Sequence, residues 1–298
     1  MTRDAQQVTF KPSDNVFRPG GHLPSRPIIT LTTDFGVADH FVGTLKGVIL
    51  EITPNVEIID ICHSVQAFDV LDGALTIAQA YSYFPTGTVH MVVIDPGVGT
   101  ARRPILVSTD RHNFVAPDNG VLSMVYARED RLHVRHITAA HYFLQPLSNT
   151  FHARDIFAPV AAYLAKGVDS LKFGEEVTDF VRFNAPKPKP GDANILRGVV
   201  LKVDRFGNLV TNITPQDAPA LFAAEPRPFK ITIGKKEITE MQTNYAQGAP
   251  GQVFGIPGSM GYLEIAANRA SAAQILGAAK GTEVQLSFEN AASASNGN

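Results

Sequence analysis

Between residues 27 and 183, short apolar runs alternate with segments whose apolar residues recur every three to four positions. The run "PIITLTTDFG" is β-branched and stops at Asp34 and Gly36, as a buried strand meeting a turn does. In the next segment, "ADHFVGTLKGVILEI", Phe41, Leu45, Val48, Ile49 and Ile52 fall on one helical face. The step then repeats. "VEIIDI" reads as a strand, "AFDVLDGALTIAQAYSYF" as a helix that Asp69 can cap, and "TVHMVVID" as a strand ending at Asp95. Two more short runs follow, "PILVST" and "NFVAPDNG", and "RDIFAPVAAYLAKG" reads as a helix in which Pro159 must sit near the start or make a kink. Strands alternating with helices predict an α/β domain on a mainly parallel sheet, over residues 27–183.

The pattern changes at "NAPKPKPGDAN", residues 184–194, which is rich in proline and poor in apolar residues and reads as a linker. After it come "LRGVVLKVDRFGNLVTNIT", "FKITIGKKEIT" and "TEVQLSFE", strand-like runs split by turn residues. They predict a smaller, mostly antiparallel, β-barrel-like domain over residues 195–289. Residues 1–26 read as a flexible leader and 290–298 as a disordered tail.

Composition narrows the functional classes. The chain has 298 residues, 44% apolar and 18% charged, with formal charge −2, so neither nucleic acid nor a membrane surface is favoured as a partner. A small molecule is the expected ligand. Cys62 is the only cysteine, which excludes an intrachain disulfide framework and a cysteine-rich metal site. With no apolar signal segment and no run near the ~20 residues of a membrane helix, a cytoplasmic protein is expected.

Four clusters carry candidate chemistry. In open parallel sheets ligands bind beyond the carboxyl ends of the strands, where Asp34 and Asp95 are expected. Strand-end aspartates also cap helices or bind turn amides, which is the plainer reading of either one alone. The glycines in "VVIDPGVGTARR" do not form a phosphate loop, because Arg102 stands where a dinucleotide fingerprint needs its third glycine and no Gly-Lys-Ser/Thr occurs. The second cluster, "NTFHARDIFAP", holds His152, Arg154 and Asp155 ahead of a helix. A lone histidine there is more often a capping or packing residue. A metal held by His152 with Asp34, Asp39, His40 or Asp95 is the rival, although no close histidine spacing supports it. The third, "VDRFGNLVTNI", places Asp204, Phe206, Asn208 and Asn212 around a glycine turn: an ordinary hairpin, or an aromatic beside amides suited to a flat heteroaromatic ring. The fourth, "GSMGYLEIAANRASAAQILG", brings Ser259 and Asn268.

As an ordered set, "TTDFG", "VVIDPGVGTARR", "FHARDIFAP", "DRFGNLVTNI" and "GSMGYLEIAANR" resemble the S-adenosylmethionine hydrolase family, the S-adenosylmethionine hydroxide adenosyltransferases, related to the fluorinating and chlorinating enzymes. The resemblance runs from about residue 27 to 288. It implies hydrolysis of S-adenosylmethionine to adenosine and methionine, with Asp95, Arg102 and His152 as the catalytic set. It further implies Asp34 as the ribose-binding carboxylate with Asp39 a weaker companion, Asp204 and Ser259 at the methionine amino acid group, and Phe206 and Asn208 at adenine. Asn268 lies beside the segment that contacts adenine. Ala153 stands where the fluorinating enzyme has a serine toward its halide, which favours water. The family implies homotrimers, or dimers of trimers, with the ligand between subunits. No cofactor and no metal are implied, since a sulfonium leaves as a neutral thioether. In the reaction so implied, Asp95 orients the water, Arg102 keeps that carboxylate ionised and His152 relays the proton. Arg103, Arg154 and Asp155 read as surface or helix-start charges. The competing functions are a halide-dependent enzyme on the same fold, a sensor of S-adenosylmethionine or adenosine without turnover, and a metal-dependent hydrolase.

Overall fold

The computed structural model describes residues 26–192 and 194–288. The leader up to residue 25 and the tail from 289 lie outside the described residues. The chain divides into two compact units at the junction of residues 184 and 185.

The first unit carries one six-stranded sheet: β1 (Ile28–Thr33), β2 (Glu57–Cys62), β3 (Val89–Val93), β4 (Pro104–Thr109), β5 (Asn113–Pro117) and β6 (Leu132–His136). The strand order is β2-β1-β3-β5-β4-β6, in which β2, β1, β3 and β5 pair in parallel, and β4 alone is reversed, pairing antiparallel with both β5 and β6. β3 is buried at every position, His90 included, which is why its sequence does not alternate apolar with exposed polar residues. Met91 and Val93 face a layer made by α1 (Phe41–Ile52), with Leu45 and Ile49 fully buried. Val92 and Ile94 face the opposite layer, which includes Ile77 of α2 (Val70–Ala80) and Val125 of α3 (Ser123–Tyr126). Each such fully buried Leu or Ile contributes roughly 1.5–3 kcal/mol. Asp69 caps α2 by accepting from the Asp72 amide at 3.0 Å. Pro159 is accommodated by a π-type turn over Ala153–Phe157, after which α4 (Ala158–Ala165) begins with the proline in its first turn, where no amide donor is needed.

At the amino end of β3, His90 and His112 pack 5.1 Å apart among Tyr81, Phe84 and Phe114. Both rings are buried. Burial and the Arg111 charge push His112 down to about 4, and burial with the His112 charge lowers His90 well below its ordinary value. A histidine with a depressed folded value adds stability that is complete above its ordinary 6.5 and is lost as pH falls toward 4. For His112 this amounts to roughly 3 kcal/mol. The thermal midpoint is therefore expected to fall between pH 6.5 and 4, and less steeply in His112→Phe; equal slopes in both proteins would refute the assignment.

The second unit contains β7 (Lys189–Pro190), β8 (Ile195–Val203), β9 (Leu209–Thr211), β10 (Phe229–Ile233), β11 (Lys236–Ile238), β12 (Val253–Pro257), β13 (Leu263–Ala267), α5 (Ala272–Leu276) and β14 (Glu283–Phe288). The sheet order is β11-β10-β14-β8-β9-β13-β12, antiparallel throughout, with β7 paired to β8. A bulge between Val200 and Lys202 bends β8, whose first half pairs β14 and second half β9. Backbone bonds from Gly255 to Glu240 and from Gln242 to Gly255, 2.8 and 2.9 Å, join the chain after β11 to β12 and nearly close a barrel. Val200, Leu209, Ile231, Leu263, Ile265, Val284 and Leu286 fill it. Part of the proline-rich stretch read as a linker is thus an ordered edge strand, and the Pro186 carbonyl accepts from Asn212 Nδ2 at 3.0 Å. Proline suits such an edge because it has no amide to leave unpaired.

Candidate active site

The carboxyl ends of β1 and β3 leave the sheet side by side, since Thr33 pairs with Val93. Asp34 and Asp95 follow directly from these strands. Asn119 Nδ2 donates to the Ile94 carbonyl at 2.8 Å and fixes the chain just ahead of Asp95. Two tight turns, Val98 amide to Asp95 carbonyl and Thr100 amide to Gly97 carbonyl, then fold the loop back on itself. Arg102 returns to Asp95 as a two-pronged pair: Nε donates to Oδ1 at 2.9 Å and Nη2 to Oδ2 at 2.5 Å. The two side chains are only 5% and 8% exposed. Gly99 must be glycine on two counts. Its φ is +76°, and a Cβ there would lie 2.1 Å from the Asn149 carbonyl oxygen, on the segment that leads to His152.

His152 opens the π-type turn and is itself buried. Its Nδ1 lies 2.9 Å from Arg102 Nη2. A guanidinium can only donate, so Nδ1 must accept and the ring carries its proton on Nε2. Burial first, and then the Arg102 charge, lower the tendency of His152 to protonate, against weaker opposing pulls from Asp95 and Asp155. The guanidinium also sits over the Phe157 ring, 5.3 Å from its centroid, and its Nη1 is buried with no hydrogen-bond partner among the described residues. Asp95, Arg102 and His152 therefore form one connected buried set. The neighbouring Ala153 is buried and offers no hydroxyl.

Asp34 belongs to the same edge. The ring of Phe35, just after it, packs 6.2 Å from the ring of Phe151, just before His152, and both meet Phe41. Asp34 Oδ2 accepts from the Phe68 amide at 2.9 Å. Phe68 went unnoticed in the sequence: it holds φ +65°, rare for a bulky residue, and its side chain is 74% exposed beside Asp34. Asp39 stands exposed just before α1. Arg154 and Asp155 pair with each other at 2.6 Å, and the buried Asp155 also accepts from the Ser148 amide, so both hold the loop together. Arg103 spans Asp118 and Asp179 at 2.7 Å each.

In the second unit Asp204 organises its own turn. Oδ1 accepts from the amides of Phe206 and Asn208, both at 2.8 Å, and Oδ2 from Asn208 Nδ2 at 2.9 Å. Gly207, at φ +84°, packs so closely on Ser271 that a Cβ would meet its Oγ at 2.1 Å. The turn presents Phe206, 78% exposed, on a rigid base, while Asn208 is buried. Ser259 is exposed on the turn joining β12 to β13. Asn268 Nδ2 donates to the Gly248 carbonyl at 2.6 Å and pins a neighbouring loop. Glu264 on β13 was also unnoticed: it is buried, bonded by the Tyr245 hydroxyl at 3.2 Å, and pushed up by burial and by the Asp204 charge. A charge inside the apolar run "YLEIAA" was the available signal.

Among the described residues no group of three or more His, Cys, Asp or Glu side chains could hold a metal ion, and no helix is long and apolar enough to cross a membrane.

A carboxylate, a guanidinium and an imidazole locked together at the carboxyl edge of an α/β sheet, followed by an antiparallel barrel, define a two-domain protein built to act on a small molecule. The SAM hydroxide adenosyltransferase N-terminal domain matches residues 29–174 and the C-terminal domain of the same family residues 198–285, and the chain belongs to that family. It is similar to the (R)-S-adenosyl-L-methionine hydrolase of Salinispora tropica, 36% identical over 87% of this chain and 97% of the relative. The fluorinase of Nocardia brasiliensis is 29% identical over 88% of this chain and 97% of its own. A crystal structure of an uncharacterized conserved protein from Thermotoga maritima superposes with a TM-score of 0.79 at 36% identity, covering 87% of this chain and 99% of that one.

Proposed function

We propose that this chain hydrolyses S-adenosylmethionine to adenosine and methionine by attack of water at C5′. The observation that carries the reading is the buried Asp95–Arg102–His152 set in a chain similar to proteins named as S-adenosylmethionine hydrolases. In the step proposed, a C5′–O bond forms as the C5′–S bond breaks, methionine leaves as a neutral thioether, and one proton is released. Departure needs no acid. The demand falls on the nucleophile, which must be held in line with the C–S bond, and positioning of this kind supplies up to ~7–11 kcal/mol.

Asp95 has lone pairs left after binding Arg102 and can accept one hydrogen bond from the water, orient it and take its proton. Arg102 fixes Asp95 for this through two donors, Nε and Nη2. With Nδ1 engaged by Arg102, His152 can offer only its Nε2–H. It then acts as a donor that orients the water, and the proton relay expected from the sequence gives way to this role. Joining a hydroxide-like oxygen to a sulfonium neutralises charge, so a dry site favours the reaction. Asp34 is suited to accept from both ribose hydroxyls, with Asp39 nearby in sequence, and the exposed Phe206 with Asn208 to meet adenine. Asp204 and Ser259 are assigned to the amino acid group and Asn268 to support of the adenine segment. No cofactor or metal enters the proposed reaction. A homotrimer or a dimer of trimers in the cytoplasm completes the proposal, supported by the family and by the single cysteine; sedimentation reads the assembly.

The test is incubation of chelator-treated protein with S-adenosylmethionine in halide-free oxygen-18 water. Adenosine labelled at the 5′ oxygen is the expected product. A 5′-halo nucleoside formed only with added chloride or fluoride would favour the halide-dependent alternative, and bound but unconverted substrate would favour a sensor.

A further inference from the structure

We propose that His63 is a positioning residue that sets the Asp34 turn, an inference that rests on the reading of Asp34 as the ribose carboxylate. The parallel pairing of β1 with β2 slips by one residue at its end: Leu31 pairs with Asp60 but Thr32 with Cys62, leaving Ile61 as an extra residue. Bulges re-aim the side chains that follow them, and this one delivers His63 to Thr33 at the point where the chain turns into Asp34.

His63 then grips the turn on both sides of the carboxylate. Its ring Nδ1 lies 2.8 Å from Thr33 Oγ1, and its carbonyl accepts from the Gly36 amide at 2.7 Å. Thr33 Oγ1 also accepts from the Phe35 amide at 3.3 Å, so its own proton is free for Nδ1. His63 Nε2 stands 3.0 Å from Asp60 Oδ1, at ion-pair distance but outside hydrogen-bond alignment, and Asp60 is held from its other oxygen by Lys46 at 2.6 Å. Five residues further along the same loop, the Phe68 amide binds Asp34 itself. The loop of residues 63–68 is thus a template for the turn of residues 33–36. Thr33 is fully buried, and its hydroxyl is engaged by both His63 Nδ1 and the Phe35 amide, so the Thr33–His63 bond serves the placement of Asp34.

Calorimetric titration of adenosine and of 2′,3′-dideoxyadenosine into the full-length protein and its variants tests the proposal, with melting curves as the check on folding. His63→Ala and Thr33→Val are expected to weaken adenosine binding by about 3- to 10-fold, the loss of one hydrogen bond, and to leave dideoxyadenosine unchanged. His63→Asn, which keeps a polar atom near the Nδ1 position, should restore adenosine binding, whereas His63→Gln, reaching only toward Asp60, should not. A merely structural role would weaken both nucleosides alike. If Asp34→Ala keeps full discrimination between the two nucleosides, the ribose reading falls and the proposal with it. If Asp34→Ala loses discrimination while His63→Ala and Thr33→Val keep it, His63 has no positioning role.

Discussion

Asp95→Asn is expected to lower kcat by about 10²- to 10⁴-fold, the usual contribution of a positioned base, while KM for S-adenosylmethionine stays within about threefold. The substitution preserves shape and removes the charge. Arg102 Nε and Nη2, both donors aimed at Asp95, would then meet one acceptor oxygen and one amide nitrogen. Removing one partner of a buried ion pair also costs roughly 3–5 kcal/mol of stability, so a melting curve must accompany the kinetics. Wild-type turnover in a folded Asp95→Asn protein would remove Asp95 from the chemistry. The pH profile gives a second check. His152 must remain neutral to accept from Arg102, and burial and the Arg102 charge hold its titration below the ordinary 6.5. The acid limb of kcat/KM should therefore fall below that value, and in Arg102→Met it should rise toward it if enough activity remains to follow.

Asp34→Ala is expected to do the opposite: raise KM by about 10- to 100-fold, with kcat within a few-fold. A charge-assisted hydrogen bond is worth about 1.5–3 kcal/mol, and 1.4 kcal/mol corresponds to tenfold. Loss of a ribose diol clamp therefore falls in this range even after water replaces part of it. The same carboxylate receives the Phe68 amide. Its removal should free residue 68 from its left-handed backbone, which Asp34→Asn would largely retain. A fall in kcat with unchanged KM would instead place Asp34 among the groups that act on the nucleophile.

The parts of this fold that could be read from the chain are those where one local signal suffices. β1 and β3 are short runs rich in β-branched residues, α1 keeps a 3.6-residue stripe, and Asp34 and Asp95 stand where a strand meets glycine. Arg102 and His152 each sit among turn residues in specific ordered motifs. The rest depends on partners far along the chain. The π-type turn before α4 exists because Pro159 forbids an ordinary helix there, and several backbone paths would satisfy that proline. His63 looks like any core histidine until the one-residue slip beside Ile61 turns it toward Thr33. Phe68 gains meaning only from its backbone angle, and the proline-rich stretch of residues 184–194 shows its edge strand only when β8 is beside it.

The approach of Gly99 to the Asn149 carbonyl bears on how such a protein can be redesigned. At Gly99 the loop that delivers Arg102 meets the segment that delivers His152 backbone to backbone, beside the Arg102–His152 side-chain contact. Positions 95, 102, 152 and 153 can be varied without touching this backbone contact, at the stability cost that breaking the buried Asp95–Arg102 pair carries. Position 99 is the contact itself. Libraries aimed at new chemistry should vary the former and leave the latter untouched, because any side chain there would move two arms of the site at once.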